Sequence, residues 1–282
     1  MGRGISLHLG LNGVDPKNYG GWNGALNACE ADAKDMEGIA KTRGFQTELV
    51  LTQGATRTGV LTRLSKTAES LKAGDTFFLS YSGHGGQVPD TNGDEPDHLD
   101  ETWCLFDGEL IDDELFLALG KFAEGVRVIV LSDSCHSGTM LKAAYYQGSV
   151  AERVSAAAIP DAVVRAMPPE ILLRTYRLNK DFYDKLQATR GLRKAKDDIK
   201  ASALLISGCQ DNQYSADGPF NGLFTGTLLR VWQNGLFVSQ KRNSYKDLWK
   251  AVMRQMPPDQ TPNYYWAGPK SLAFERSPAF TP

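Results

Sequence analysis

The stretch SDSCHSG (132–138) sets a carboxylate, a thiol and an imidazole, Asp133, Cys135 and His136, directly after the apolar run 128–131. A cysteine thiol is mostly protonated at neutral pH, and its thiolate is the nucleophile. Nucleophilic catalysis by Cys135 therefore requires a base or a cation nearby. Two histidines are candidates. His136 adjoins Cys135, but neighbouring side chains leave the backbone in different directions and rarely face one another. His84 lies in the earlier stretch YSGHGG (81–86), at the end of another apolar run, DTFFLSYS (75–82). Gly83, Gly85 and Gly86 strip bulk from around it and let a peptide backbone approach closely. The residues point to Cys135 as nucleophile and His84 as its base, with His136 as a neighbour. Cys29, Cys104 and Cys209 read as buried, inert thiols, which pack as small hydrophobes. His8 reads as a hydrogen-bonded residue inside a strand, and His98 as solvated.

The elements that would carry these groups alternate between strand and helix. Strands are expected at 5–11, 45–51, 75–82, 102–106, 127–132, 202–207 and 263–268. Helices are expected over 25–44, where Leu26, Cys29, Ala33, Met36, Ile39 and Ala40 fall at helical spacing, over 56–71, from Asp112, and near 222–233 and 244–255. Short β-branched runs separated by amphipathic helices specify an α/β sandwich with a largely parallel sheet. In such sheets reactive groups gather beyond the C-terminal ends of the strands, where both YSGHGG and SDSCHSG fall.

Composition narrows the class. The chain has 282 residues, 41% hydrophobic and 23% charged, ordinary for a globular protein with a substantial core. Its net charge of −2 gives no basic field for nucleic acid. No apolar run reaches the roughly 20 residues that cross a bilayer, and no signal-peptide plan opens the chain, so a cytoplasmic setting is expected. Four unclustered cysteines argue against a disulfide framework or a zinc ribbon. The glycine-rich stretch 10–24 matches neither the P-loop nor the dinucleotide fingerprint. The segment 142–200, with Pro160, Pro168, Pro169 and the basic cluster RGLRKAK, is long for a connection between core strands and reads as an insertion or processing linker.

YSGHGGQ, DTNGDEPDHLDE, LIDDEL, SDSCHSGT, ISGCQDNQYSAD, GLFT and QTPNYY together resemble the metacaspases and their prokaryotic relatives, the caspase-like cysteine peptidases, over nearly all of the chain except 142–200. The resemblance implies one caspase-like domain, an α/β three-layer sandwich with a mostly parallel central sheet of about six strands flanked by helices. Its large-subunit-like part is 1–141 and its small-subunit-like part 201–282. It implies a Cys135–His84 dyad and an oxyanion site made by the amides of Cys135 and Gly85. It also implies protein or peptide substrates with Arg or Lys before the scissile bond, and a monomer. The basic side chain would be bound by Asp32, Ser82 and Asp133, since paired carboxylates suit a guanidinium. Relatives cut themselves after a basic residue between the cysteine strand and the next strand. Here Arg165, Arg174, Arg177, Lys180, Arg190, Arg193, Lys194 and Lys196 are the candidates.

The segment 90–101 is not an EF-hand loop, because Glu95 replaces the glycine of its sharp turn. The calcium ligands of the resembled family fall instead on Asp100, Asp112 and Asp113, while the fourth position is Lys142, whose charge opposes a hard cation. No cofactor is required by this reading, and calcium is an option that Lys142 weakens. Asp112 is alternatively the N-cap of the following helix. The competing functional class is a non-catalytic caspase-fold scaffold or regulatory module.

Overall fold

A computed structural model describes residues 2–91, 98–134, 163–189, 192, 195–209, 215–258 and 260–282. The central sheet has six strands in the order β2-β1-β3-β7-β8-β9. They are β1 (Gly4–Gly10), β2 (Gln46–Leu51), β3 (Thr76–Ser82), β7 (Arg127–Asp133), β8 (Ser202–Ser207) and β9 (Asn263–Ala267), and only β9 runs antiparallel to its neighbour. A second, antiparallel sheet is formed by β4 (Gly85–Pro89), β5 (Leu99–Leu105) and β6 (Gly108–Ile111). The helices are α1 (Cys29–Thr42), α2 (Arg57–Ser70), α3 (Asp112–Leu119), α4 (Pro169–Gln187), α5 (Leu223–Trp232), α6 (Tyr245–Met253) and α7 (Leu272–Arg276). The α/β sandwich and the mostly parallel six-stranded sheet expected from the sequence are present.

Two-residue alternation along buried strands sends side chains to opposite faces. Phe77, Leu79 and Tyr81 of β3, with Val128 and Val130 of β7, pack against Val60, Leu64 and Ala68 of α2 and Leu115 and Phe116 of α3. Phe78, Ile129 and Leu131 point the other way, into a core closed by Met36 and Ile39 of α1 and by Phe224, Leu228, Leu248 and Phe274 of α5, α6 and α7. Both layers are buried, so the strands read as nearly continuous apolar runs. His8 sits in β1 fully buried, bonded to Ser80 Oγ at 2.8 Å and Ser6 Oγ at 2.9 Å. Burial, helped by the charge of Lys41, pushes its pKa down to about 3, so it is a neutral interior residue. Cys29, Cys104 and Cys209 are free and buried.

The register delivers the site. Gly10 pairs with Ser82, and Ser82 with Asp133, so β1, β3 and β7 end side by side. The chain order reverses between β1 and β3, and at such a switch point the loops part and leave a crevice. Within 142–200, α4 lies on the second sheet. The Glu109 N–H donates to Tyr183 Oη at 2.9 Å, and Gln187 Nε2 donates to the Pro89 carbonyl at 2.9 Å.

Candidate active site

Ser82, Gly83 and His84 leave β3 at the crevice, and the Gly83 N–H donates to the Asp133 carbonyl, tying the two strand tips together at 3.5 Å. The His84 backbone is fixed from both sides. Tyr81 Oη donates to its carbonyl at 2.7 Å, and so does the Cys104 N–H at 3.0 Å. Position 83 must be glycine for this closure, since a Cβ there would lie 2.6 Å from Tyr81 Oη. The imidazole is buried, tilted against Trp22 at a ring separation of 4.7 Å. Its Nε2 lies 3.1 Å from the Gly24 carbonyl. A carbonyl can only accept, so Nε2 carries the proton and Nδ1 holds the basic lone pair. Among the described residues Nδ1 has no hydrogen-bond partner. Burial drives the imidazole pKa down to about 3, against the Gly24 contact, which raises it, and with the charge of Arg165 lowering it further.

Cys135 and His136 lie outside the described residues, which end here at Ser134, fully buried with its Oγ 2.9 Å from Ser132 Oγ. Asp133 closes β7, and its carboxylate enters the crevice. Asp32, in the first turn of α1, and Ser82, at the end of β3, enter it as well, with Ser82 Oγ donating to Asp32 Oδ2 at 2.8 Å. These three expected pocket residues are thus brought together. A fourth, Asp217, was assigned no role from the sequence. Its Oδ1 accepts from Arg165 Nη2 at 2.7 Å, and its Oδ2 from the Asn27 N–H at 2.8 Å.

Arg165 fills the space between these acids and is completely inaccessible to solvent. Its guanidinium contacts Asp32 at 2.7 Å, Asp133 at 3.1 Å and Asp217 at 2.7 Å, and donates to Ser82 Oγ at 2.8 Å. Burial opposes its charge, but Asp133, Asp32 and Asp217 hold its pKa well above the ordinary arginine value. Three carboxylates around one cation would repel each other without further donors, and these are supplied. The Gly222 N–H and Asn221 Nδ2 donate to Asp32. Thr225, through its N–H and hydroxyl, and Ser215, through its hydroxyl, donate to Asp133. Gly222 and Thr225 belong to the start of α5, whose positive dipole end favours nearby anions. Burial nonetheless raises the Asp32 pKa, and the charge of Asp133 adds to that rise.

The backbone of this arginine is engaged too. Its carbonyl accepts from the Gly85 N–H at 3.0 Å, the amide that the family resemblance assigns to the oxyanion site. Its N–H donates to the Ser215 carbonyl at 3.0 Å, and the Asp217 N–H donates to the Val163 carbonyl at 2.7 Å. Isolated bridges thus join Val164 to Ala216 and Ala166 to Gly85, on either side of a bend at Arg165.

Asp100, Asp112 and Asp113, the calcium positions of the resembled family, all lie among the described residues. Among the described residues no group of three or more His, Cys, Asp or Glu side chains is arranged to hold a metal ion. Asp112 and Asp113 are the first two residues of α3, and successive helical side chains diverge by about 100°, so one carboxylate turns inward while the other does not. Asp112 is not the N-cap. That position is Ile111, whose N–H is accepted by Glu114 Oε2 at 3.2 Å. Lys142 lies outside the described residues.

Gly222 packs against the Arg165 guanidinium and Asp133, a closeness that sequence reasoning did not single out. A Cβ there would stand 2.5 Å from Arg165 Nη1 and 2.6 Å from Asp133 Oδ2, although its φ of −61° suits any residue. Gly222→Ala is expected to keep the fold, checked by thermal melting, while raising KM for an arginine peptide reporter by about tenfold or more, the effect of overfilling a packed site by one carbon. An unchanged KM would show that the guanidinium of a bound peptide lies elsewhere.

Comparison with known proteins agrees with this geometry. Residues 14–274 match the Peptidase_C14 family, described as the caspase domain. Metacaspase-1 of Mycosarcoma maydis is 30% identical over 269 residues, 85% of this chain and 67% of that protein. Metacaspase-1 of Schizosaccharomyces pombe is 30% identical over 258 residues, 81% of this chain and 58% of that protein. The chain thus spans between half and two thirds of the curated relatives it matches. A crystal structure of a Geobacter sulfurreducens protein superposes with a TM-score of 0.86 at 57% identity, covering 99% of this chain and 98% of that one. Caspase-1 of Spodoptera frugiperda shares the fold alone, with a TM-score of 0.54 at 10% identity over 95% of this chain and 88% of that one. The strand order, the crevice at the switch point and these matches together place the chain in the caspase-domain family of cysteine-type peptidases.

Proposed function

We propose that the protein is a cysteine endopeptidase that cleaves peptide bonds after arginine or lysine through Cys135 and His84. The observation that carries this reading is the seat of the Arg165 side chain among Asp32, Asp133 and Asp217, with its carbonyl on the Gly85 amide. A peptide bound in the same way would present its basic side chain to the carboxylates and its scissile carbonyl to that amide. His84 Nδ1 takes the Cys135 proton, the sulfur attacks the carbonyl carbon, and the Gly85 and Cys135 amides receive the developing oxyanion. The imidazolium then protonates the departing amine. Water hydrolyses the thioester, with His84 again serving as base. No step is assigned to calcium. Arginine suits this pocket better than lysine, because its planar fork can address two carboxylates at once.

The test is a panel of fluorogenic peptides ending in Arg, Lys, Asp or Leu, assayed with wild type and Cys135→Ala. Hydrolysis of the Arg and Lys peptides alone, lost in Cys135→Ala, is expected. Equal turnover of the Asp peptide would refute the acid-lined specificity, and turnover that survives in Cys135→Ala would refute the nucleophile. A non-catalytic scaffold would hydrolyse none of them.

A further inference from the structure

Gln260 opens the stretch QTPNYY, a motif to which neither the fold nor the peptidase chemistry has yet given a task. It is buried, and both polar atoms of its amide are engaged. Oε1 accepts from the Ala216 N–H at 3.2 Å, while Nε2 donates to the Gly208 carbonyl at 3.2 Å and to Ser215 Oγ at 3.0 Å. A backbone N–H can only donate and a carbonyl only accept, so the two backbone contacts fix which end of the amide is which. Nε2 offers Ser215 no lone pair. The Ser215 oxygen therefore accepts from it, and the Ser215 proton points elsewhere, to Asp133 Oδ1 at 2.6 Å.

Ser215 touches the seated arginine twice. Its carbonyl accepts from the Arg165 N–H at 3.0 Å, and its hydroxyl holds the carboxylate whose other oxygen lies 3.1 Å from the guanidinium. Gln260 stands behind both contacts. Its Nε2 backs the side-chain contact through Ser215 Oγ, and its Oε1 backs the main-chain contact through the Ala216 N–H. That N–H and the Ser215 carbonyl belong to one planar peptide unit and point in opposite directions. Binding the N–H from behind aims the carbonyl at the arginine backbone, and hydrogen bonds on the two ends of one amide strengthen each other. Thr225 supplies the donors to Asp133 Oδ2, so the relay from Gln260 through Ser215 serves the other oxygen of the same carboxylate.

We propose that Gln260 is a positioning residue for the basic residue before the scissile bond: it directs the Ser215 proton onto Asp133 and aims the Ser215 carbonyl at the substrate backbone. The proposal rests on the peptidase reading above and adds to it a residue behind the pocket wall. It also bears on the choice between arginine and lysine. A planar guanidinium needs the carboxylate held in one plane, whereas a rotating ammonium does not.

The experiment compares wild type, Gln260→Glu, Gln260→Met, Ser215→Ala and the double variant Gln260→Glu with Ser215→Ala on fluorogenic peptides ending in Arg or Lys, with melting curves to confirm folding. Gln260→Glu keeps the shape and the acceptor for the Ala216 N–H, but replaces the donor by an oxygen that draws the Ser215 proton off Asp133. KM for the Arg peptide is expected to rise by about tenfold or more, the scale of losing one hydrogen bond to a charged group, with kcat changed by less than about threefold. The Arg-to-Lys ratio of kcat/KM falls with it. In the Ser215→Ala background no proton remains to be redirected, so adding Gln260→Glu should change KM by less than about twofold. Gln260→Met, with neither donor nor competing acceptor, is expected between wild type and Gln260→Glu, and it replaces Gln260→Glu in the same cycle if the latter does not fold. Two outcomes would overturn the proposal while leaving the peptidase reading intact. One is a set of KM losses that multiply in the double variant, and the other is an even fall in kcat for both peptides at unchanged KM, since either would mark Gln260 as a structural tie. A wild type that hydrolyses neither peptide would overturn the peptidase reading, and this proposal with it.

Discussion

His84→Ala is expected to lower turnover of an arginine peptide by about three orders of magnitude, with KM little changed, the scale of losing a general base from a nucleophile–base pair. The proposed base is held in place through its other atoms. Its Nε2–H is committed to the Gly24 carbonyl, its face to Trp22, and its Nδ1 has no partner among the described residues. The same substitution has a signature independent of activity. The folded chain holds this imidazole at about 3, whereas an unfolded histidine titrates near 6.5. Its neutral burial therefore stabilises the fold fully above pH 6.5, and that contribution is lost as pH falls from 6.5 towards 3, because the unfolded chain takes up the proton first. Over that window His84→Ala should flatten the fall in stability by about 1.4 kcal/mol per pH unit, read from denaturant midpoints. Catalytic loss without this flattening would mean that the base is charged in the folded protein. Retention of more than about a tenth of the turnover would remove His84 as the base, a tenfold change being about 1.4 kcal/mol of barrier, and would direct the same assay to His136→Ala.

Much of the fold was legible because the central strands are buried on both faces and the helices on one, so apolar periodicity marked both. The second sheet was mostly lost. β4 reads GGQVP and β6 is four residues long, so neither carries an alternation that rises above a loop. Their pairing partners, not their own propensities, make them strands. The site divides in the same way. Side chains in the two motifs could be picked out, and Asp32 and Ser82 could be placed by resemblance, because each announces itself by residue type. The orienting group on His84 is the backbone carbonyl of Gly24, and no residue type signals a carbonyl. Asp217 stood inside a motif that was noticed, QYSAD, yet its contact exists only because the chain returns beside the segment at Arg165. Arg165 itself was one basic residue among eight. Only the crevice that closes around it separates it from the rest.

Asp133→Ala is expected to cost between about thirtyfold and several thousandfold in kcat/KM for arginine peptides, corresponding to the roughly 2–5 kcal/mol lost when one partner of a buried charge pair is truncated. Two effects oppose one another here. The pocket holds three carboxylates against one guanidinium, so removing one relieves repulsion and lets Asp32, whose pKa the charge of Asp133 raises, ionise more readily. Against this, Asp133 Oδ2 lies 3.1 Å from the guanidinium and accepts from the Thr225 N–H and hydroxyl, while its Oδ1 accepts from Ser215. Alanine leaves those three donors buried without their acceptor, at about 1–3 kcal/mol for each that finds no water. The second effect outweighs the first, because relief of repulsion is shared among carboxylates that already have their own donors. Asp133→Asn separates the two terms. Its amide keeps one acceptor oxygen and removes the charge, so it should fall between wild type and alanine. Alkylation of Cys135 by iodoacetamide should change by less than about twofold in either variant, since the substitution leaves the thiol itself in place. If Asp133→Ala cleaves arginine peptides at the wild-type rate, the carboxylates around Arg165 are a structural ion cluster and not the pocket that selects the substrate.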